Sequence, residues 1–186
     1  MSRNYRKGAN WSTYRRRLFL GAIAFLLMAI GQLSHWSLPA QAAPTQDIAV
    51  LNTFVPGSAD PGFPSTYRLT FRNITDASVG ITQLEHTLPS APGSLVFDAA
   101  GTTRNDCGST FTILKAGSNP GAPAQFRITG GQIPPANATS GAPGQCIIEI
   151  PVKGFESGNH NDTIPAGALV TAIGENQDPT TATLEV

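Results

Sequence analysis

The stretch Ser65-Thr66-Tyr67-Arg68-Leu69-Thr70-Phe71-Arg72-Asn73 decides the fold. Tyr67, Leu69 and Phe71 alternate with Thr66, Arg68, Thr70 and Arg72. Successive side chains of a strand point to opposite faces, so this alternation predicts a strand with one face in a core and the other in water. Residues 145–153 repeat the pattern. Cys146, Ile148, Ile150 and Val152 fall on one face, and Ile147, Glu149 and Pro151 on the other. Pro151 has no amide hydrogen for a ladder, so this strand is expected to lie at a sheet edge or to end there.

Outward from these two segments, shorter runs predict strands at 48–54, 79–88, 94–97, 110–114, 125–128, 168–172 and 182–186. Turn signals separate them: Pro61-Gly62, Pro92-Gly93, Asn119-Pro120-Gly121, Gly130-Gly131, Pro134-Pro135 and Pro143-Gly144. No window after position 43 holds a helical period. An all-β domain of about seven to nine strands follows, arranged as a β-sandwich with Greek-key connections. Its core is expected to draw on Val50, Tyr67, Leu69, Phe71, Ile81, Leu84, Phe97, Phe111, Phe126, Ile128, Ile148, Ile150, Leu169 and Leu184.

The chain has 186 residues, 12 Lys+Arg and 12 Asp+Glu, but the charges are segregated. Six basic residues lie in the first 17 positions, and no acidic residue precedes Asp47. From Ala43 onward, six basic and twelve acidic side chains leave a net −6. A net-acidic body argues against nucleic-acid binding. Its 16 Gly and 14 Pro in 144 residues argue against a helical bundle.

The N-terminal segment reads as an address. A basic stretch precedes residues 18–31, LFLGAIAFLLMAIG, which carry no charge. That run is short for a membrane span, which needs about 20 apolar residues. Ala40 and Ala42 form a small-x-small pattern, so residues 1–42 are expected to be a helical signal peptide cut before Ala43. An uncleaved membrane anchor is the alternative. Arg15-Arg16-Arg17-Leu18-Phe19-Leu20 also resembles a twin-arginine export signal, which leaves the route open. Residues 43–46 read as a short linker and 47–186 as the folded domain.

Cys107 and Cys146 are the whole cysteine inventory. In an exported chain they are expected to form a structural disulfide. A zinc site completed by His86 and His160 is the competing reading, although the ligands lack paired short spacing.

The order of several further motifs resembles a bacterial cell-surface repeat, a domain of unknown function of the type-eleven class and its relatives. Phe54-Val55-Pro56 followed by residues 65–73 looks like its opening, and Thr87-Leu88-Pro89 with Leu95-Val96-Phe97 like its middle. Cys107, Gly130-Gly131-Gln132-Ile133-Pro134 and Cys146-Ile147-Ile148-Glu149-Ile150 resemble its cysteine-bearing half. Asn161-Asp162-Thr163-Ile164-Pro165-Ala166-Gly167-Ala168-Leu169-Val170-Thr171 and the tail Thr180-Thr181-Ala182-Thr183-Leu184-Glu185-Val186 resemble its close. The resemblance implies an Ig-like sandwich serving as a spacer, stalk or adhesive unit. It carries over no catalytic residue.

The chain offers little for catalysis. Glu85 and His86 are strand neighbours and so are expected to face apart. His160, in Ser157-Gly158-Asn159-His160-Asn161-Asp162, reads as an exposed histidine of a polar turn. Asp162, Glu175 and Asp178 are candidate calcium ligands in loops, but their spacing is not that of an EF-hand. Solvated turn residues are the plainer reading, and no metal or cofactor is expected. Three sequons start at Asn73, Asn137 and Asn161. The surface loops 117–123 and 136–144, with Gly117, Ser118, Asn119, Asn137 and Thr139, are the expected ligand contacts, because loops on rigid scaffolds carry binding.

The expected function is therefore that of an exported, non-enzymatic structural or adhesion-type module, located extracellularly, in the periplasm or at the cell surface. Its partner would be an extracellular protein or surface component. Nucleic acid is not expected, and a membrane only through an uncleaved N-terminal segment. A calcium- or glycan-binding module and a strand-donating subunit of a surface assembly are the alternatives.

Overall fold

The computed structural model describes residues 47–99, 102–118 and 121–186. The signal segment, the linker, the cleavage residues Ala40, Ala42 and Ala43, and Asn119 lie outside the described residues. The strands in chain order are β1 (Ile48–Val55), β2 (Pro64–Asn73), β3 (Val79–Thr87), β4 (Val96–Phe97), β5 (Arg104–Asn105), β6 (Thr110–Lys115) and β7 (Gln125–Thr129). They continue with β8 (Gln132–Ile133), β9 (Gly144–Lys153), β10 (Asn159–Ile164), β11 (Leu169–Thr171), β12 (Gly174–Glu175) and β13 (Thr180–Glu185). Each of the nine expected segments contains a strand. Of the four others, β5, β8 and β12 have two residues each, whereas β10 has six and was read as a turn.

Two larger antiparallel sheets face each other. One runs β1-β2-β9, with β4 and β5 both pairing the far side of β9; the other runs β12-β11-β3-β7-β6, with β8 also on β3. A ribbon of β10 and β13 completes the fold. β2 pairs β9 and not β3, so the chain crosses to the second sheet at β3, adds β4 and β5 to the first, forms β6, β7 and β8 in the second, and returns to β2 with β9, a Greek-key-like connection.

The period-two reading holds where it was clearest. Tyr67, Leu69 and Phe71 on β2 and Ile148, Ile150 and Val152 on β9 are fully buried. Twelve of the fourteen expected core residues are buried, and Phe97 and Phe111 pack partly buried against them. On β3 a bulge changes the phase. Ile81 pairs Thr171 and Gln83 pairs Val170, so Thr82 is an extra residue, and Ile81, Leu84 and His86 all turn inward. On the outer faces, opposite charges lie directly across the ladders. Arg68 pairs Glu149 at 2.7 Å, and Arg127 pairs Glu85 at 2.7 Å.

Pro151 corrects one expectation. It pairs Thr66, and β9 runs on to Lys153 as an interior strand. The proline is tolerated because its missing donor faces the side where only the short β4 and β5 pair.

Cys107 and Cys146 form a disulfide with Cα atoms 5.1 Å apart, closing a separation of 39 residues. It ties the turn after β5 to the buried face of β9. Gly131 (φ 83°) lets the β7–β8 turn approach that turn, because a Cβ there would lie 2.6 Å from the Cys107 carbonyl oxygen.

Candidate functional site

A cluster of polar side chains is built into the core. Asn52 on β1, Tyr67 on β2, His86 on β3 and Asp162 on β10 each occupy an inward position of an alternating strand, and none is more than 7% exposed. Asp162 is the centre. Its Oδ2 accepts from the Tyr67 hydroxyl at 2.5 Å and from Asn52 Nδ2 at 2.7 Å, while its Oδ1 shares a hydrogen bond with His86 Nε2 at 2.7 Å. The hydroxyl of Thr180, on β13, donates to Asn52 Oδ1 at 2.9 Å. Three strands, β1, β2 and β3, therefore meet the one carboxyl group that β10 supplies, and β13 joins the cluster through Asn52. An unpaired carboxylate here would cost several kcal/mol, and these donors offset that cost. Burial, then the Asp162 carboxylate, pushes the Tyr67 phenol well above the usual range of a tyrosine. The rings of Tyr67 and His86 stack at 6.4 Å, and Phe126 meets both edge-on.

Two expectations fail here. Asp162, a weak calcium candidate, is expected first as a solvated turn residue, and His160 as an exposed one. Both lie inward on β10, with Asp162 1% and His160 0% exposed. His160 Nε2 shares a hydrogen bond with the Glu156 carbonyl at 2.9 Å, and its Nδ1 has no partner among the described residues. Glu175 and Asp178 are exposed, and Asn176 between them is a buried brace. Its Oδ1 accepts from Leu169 N at 2.8 Å and its Nδ2 donates to the Pro165 and Asp178 carbonyls. No group of three His, Cys, Asp or Glu able to hold a metal occurs among the described residues. Glu85 and His86 face apart, as expected: Glu85 turns outward to Arg127 and His86 inward to Asp162.

Across residues 49–186 the chain matches the family model described as Domain of unknown function (DUF7933). The chain belongs to that family. No curated protein matches it. The DUF7933 domain spans every strand described above from the second residue of β1 onward, and so includes the buried cluster and the disulfide.

The two expected binding loops of the DUF7933 domain lie at opposite ends of the sandwich. The 136–144 loop sits where β1 begins: Ala136 N donates to the Thr75 carbonyl at 2.8 Å, and Gly144 and Ile48 both pair Asn73. Asn137 and Thr139 are exposed there, and Asn137 Oδ1 caps the turn by accepting from Thr139 N at 2.9 Å. The 117–123 loop is at the other end. Gly117 packs on Ala124, Ser118 N donates to the Ala122 carbonyl, and Ser94 Oγ donates to the Gly121 carbonyl at 2.8 Å. Of the sequon asparagines, Asn73 is fully buried and bonded to the Ala77 and Pro134 carbonyls.

The end holding the 117–123 loop carries a feature that sequence reasoning missed. Phe63 is 64% and Phe155 40% exposed. Phe155 packs beside Gly62, and the Lys153 ammonium lies 5.9 Å from its ring centroid. Lys153 is also held by Asp98 at 2.6 Å, whereas Asp60, Glu156 and Glu185 at this end form no ion pair among the described residues. An open cleft of about 580 Å³ lies alongside, between Pro89–Pro92 and Gly158, Asn159 and Asn161. Phe63 follows Pro61-Gly62 and Phe155 follows Gly154. Aromatic residues at two glycine turns, outside any alternating run, were the available signal.

Proposed function

We propose that this domain is an exported, non-enzymatic interaction module of the cell surface, and that it meets its partner through the end bearing Phe63 and Phe155. The observation that carries the reading is the exposure of Phe63 and Phe155 at one end of the sandwich, beside three carboxylates that form no ion pair among the described residues. Exposed aromatic side chains gain from burial, and aromatic anchors dominate interface energetics. Unpaired acids around them favour a partner with a basic rim. The disulfide is compatible with an exported protein, since such bonds persist in oxidising compartments. The interior titratable groups Asp162, His86 and Tyr67 spend their hydrogen bonds on one another, which favours a structural over a catalytic role for them.

The test is binding of the labelled, oxidised protein to intact producing cells. Phe63→Ser with Phe155→Ser should lower the apparent affinity by tenfold or more, as loss of two interface anchors does, with an unchanged far-UV spectrum. Undiminished binding by that variant would reject the end as the contact surface. A second reading, strand addition in a surface assembly, is favoured by β6, whose outer edge has no strand partner among the described residues. A monomer at all concentrations in sedimentation would exclude self-assembly through that edge.

A further inference from the structure

We infer that the domain bears tension between its two ends through a clamp made by its first and last strands. The inference rests on the reading of the domain as a surface module, and it concerns a property that the reading does not itself require. β1 begins at the end holding Asn73 and Gly144, and β13 finishes at the opposite end, beside Gly57 and Ala59. The two strands run side by side in the same direction. Just past β1, Ser58 bridges Glu185 in parallel: Ala59 N donates to the Glu185 carbonyl at 2.9 Å, and Glu185 N donates to the Gly57 carbonyl at 3.0 Å. Lower down, the Thr180 hydroxyl donates to Asn52 Oδ1 at 2.9 Å, and Asn52 is held in turn by Asp162.

This arrangement decides how load is shared. A pull on the start of β1 and the finish of β13 slides one strand along the other. The parallel bridge and the Asn52–Thr180 contact are then loaded together, and neither can open alone. The same pull shears β1 against β2 over eight residue pairs and β13 against β10 over six. Pulling two points at one end apart would instead open the contacts one after another. The inner part of the clamp is also dry: Asn52 is 3% and Asp162 1% exposed, so water cannot readily take over a stretched hydrogen bond. The disulfide stands outside this load path. It withholds its 39-residue loop from extension once the domain gives way.

Single-molecule force spectroscopy on the full chain tests this. One set of molecules is held by the N- and C-termini, and another by an attachment in the Asp60 turn and the C-terminus. End-to-end pulling should need the higher unfolding force. Reduction should lengthen the extension released by roughly 130 Å, the 39 withheld residues at about 3.4 Å each. Thr180→Val, which removes one hydroxyl at a half-buried site, should speed unfolding under end-to-end load about fivefold, the weight of one hydrogen bond. It should have little effect in the Asp60 geometry. Equal unfolding forces in the two geometries, or a Thr180→Val effect that is the same in both, would overturn the clamp. Neither result bears on cell binding, so failure of the clamp and failure of the proposed contact surface are separable.

Discussion

At Asp162 a single carboxyl group holds Asn52, Tyr67 and His86 together inside the sandwich. Removing one partner of such a group strands the others without water or protein to replace it. Asp162→Ala should therefore cost about 3–5 kcal/mol, measured by urea denaturation, and a loss below 1 kcal/mol would show that water already serves these donors. Tyr67 supplies a pH signature. Its folded pKa lies above that of an unfolded tyrosine, so the neutral phenol contributes stability at pH below about 10. That contribution falls as pH rises through the folded pKa. The urea midpoint should thus drop with rising pH above about 10, and Tyr67→Phe should reduce the drop; an equal drop in that variant would assign it elsewhere. None of this cluster was legible as a cluster. Tyr67 was placed inward by the alternation around it, but Asn52, His86 and Asp162 are polar, and a hydrophobic pattern gives no reason to bury a polar group whose partners are distant in sequence. Phe63 and Phe155 were missed for the converse reason, since an apolar residue outside a periodic run carries no signal of exposure.

β10 shows the same blindness at the scale of an element. Asn159-His160-Asn161-Asp162-Thr163-Ile164 reads as a polar turn, yet His160, Asp162 and Ile164 alternate inward as strictly as Tyr67, Leu69 and Phe71. The period was present, but its inward members were hydrophilic. β2 and β9 were readable because burial and hydrophobicity coincide there. The bulge on β3 was not, although both Ile81 and Leu84 were expected in the core, which no unbroken strand could satisfy. β9 also anchors the crosslink. Closing a loop of 39 residues is worth about 4 kcal/mol in the chain-entropy model. Cys107→Ala with Cys146→Ala should lower stability by about 2–5 kcal/mol in a denaturant titration run without reductant. No change would mean that the unfolded chain is already constrained near these positions.

For the molecule as a whole, alternation, frequent turns and a cysteine pair were enough to reach an all-β sandwich, because that architecture follows from which face of each strand is apolar. Which loops cluster could not be read, since ends are set by topology. The structure puts loops 117–123 and 136–144 at opposite ends and so divides what looked like one candidate surface into two. The 117–123 end has the exposed aromatics and the finish of β13. The other has the start of β1. A module gripped at the first end and held at the second would carry load along its strands.

The most direct test of an exported, oxidised module is fractionation of producing cells, with intact mass taken under non-reducing conditions on the fraction that holds the protein. The account predicts a species in an exported fraction, about two mass units lighter than its reduced form through loss of the two thiol hydrogens. A reduced species confined to the cytoplasm would contradict it.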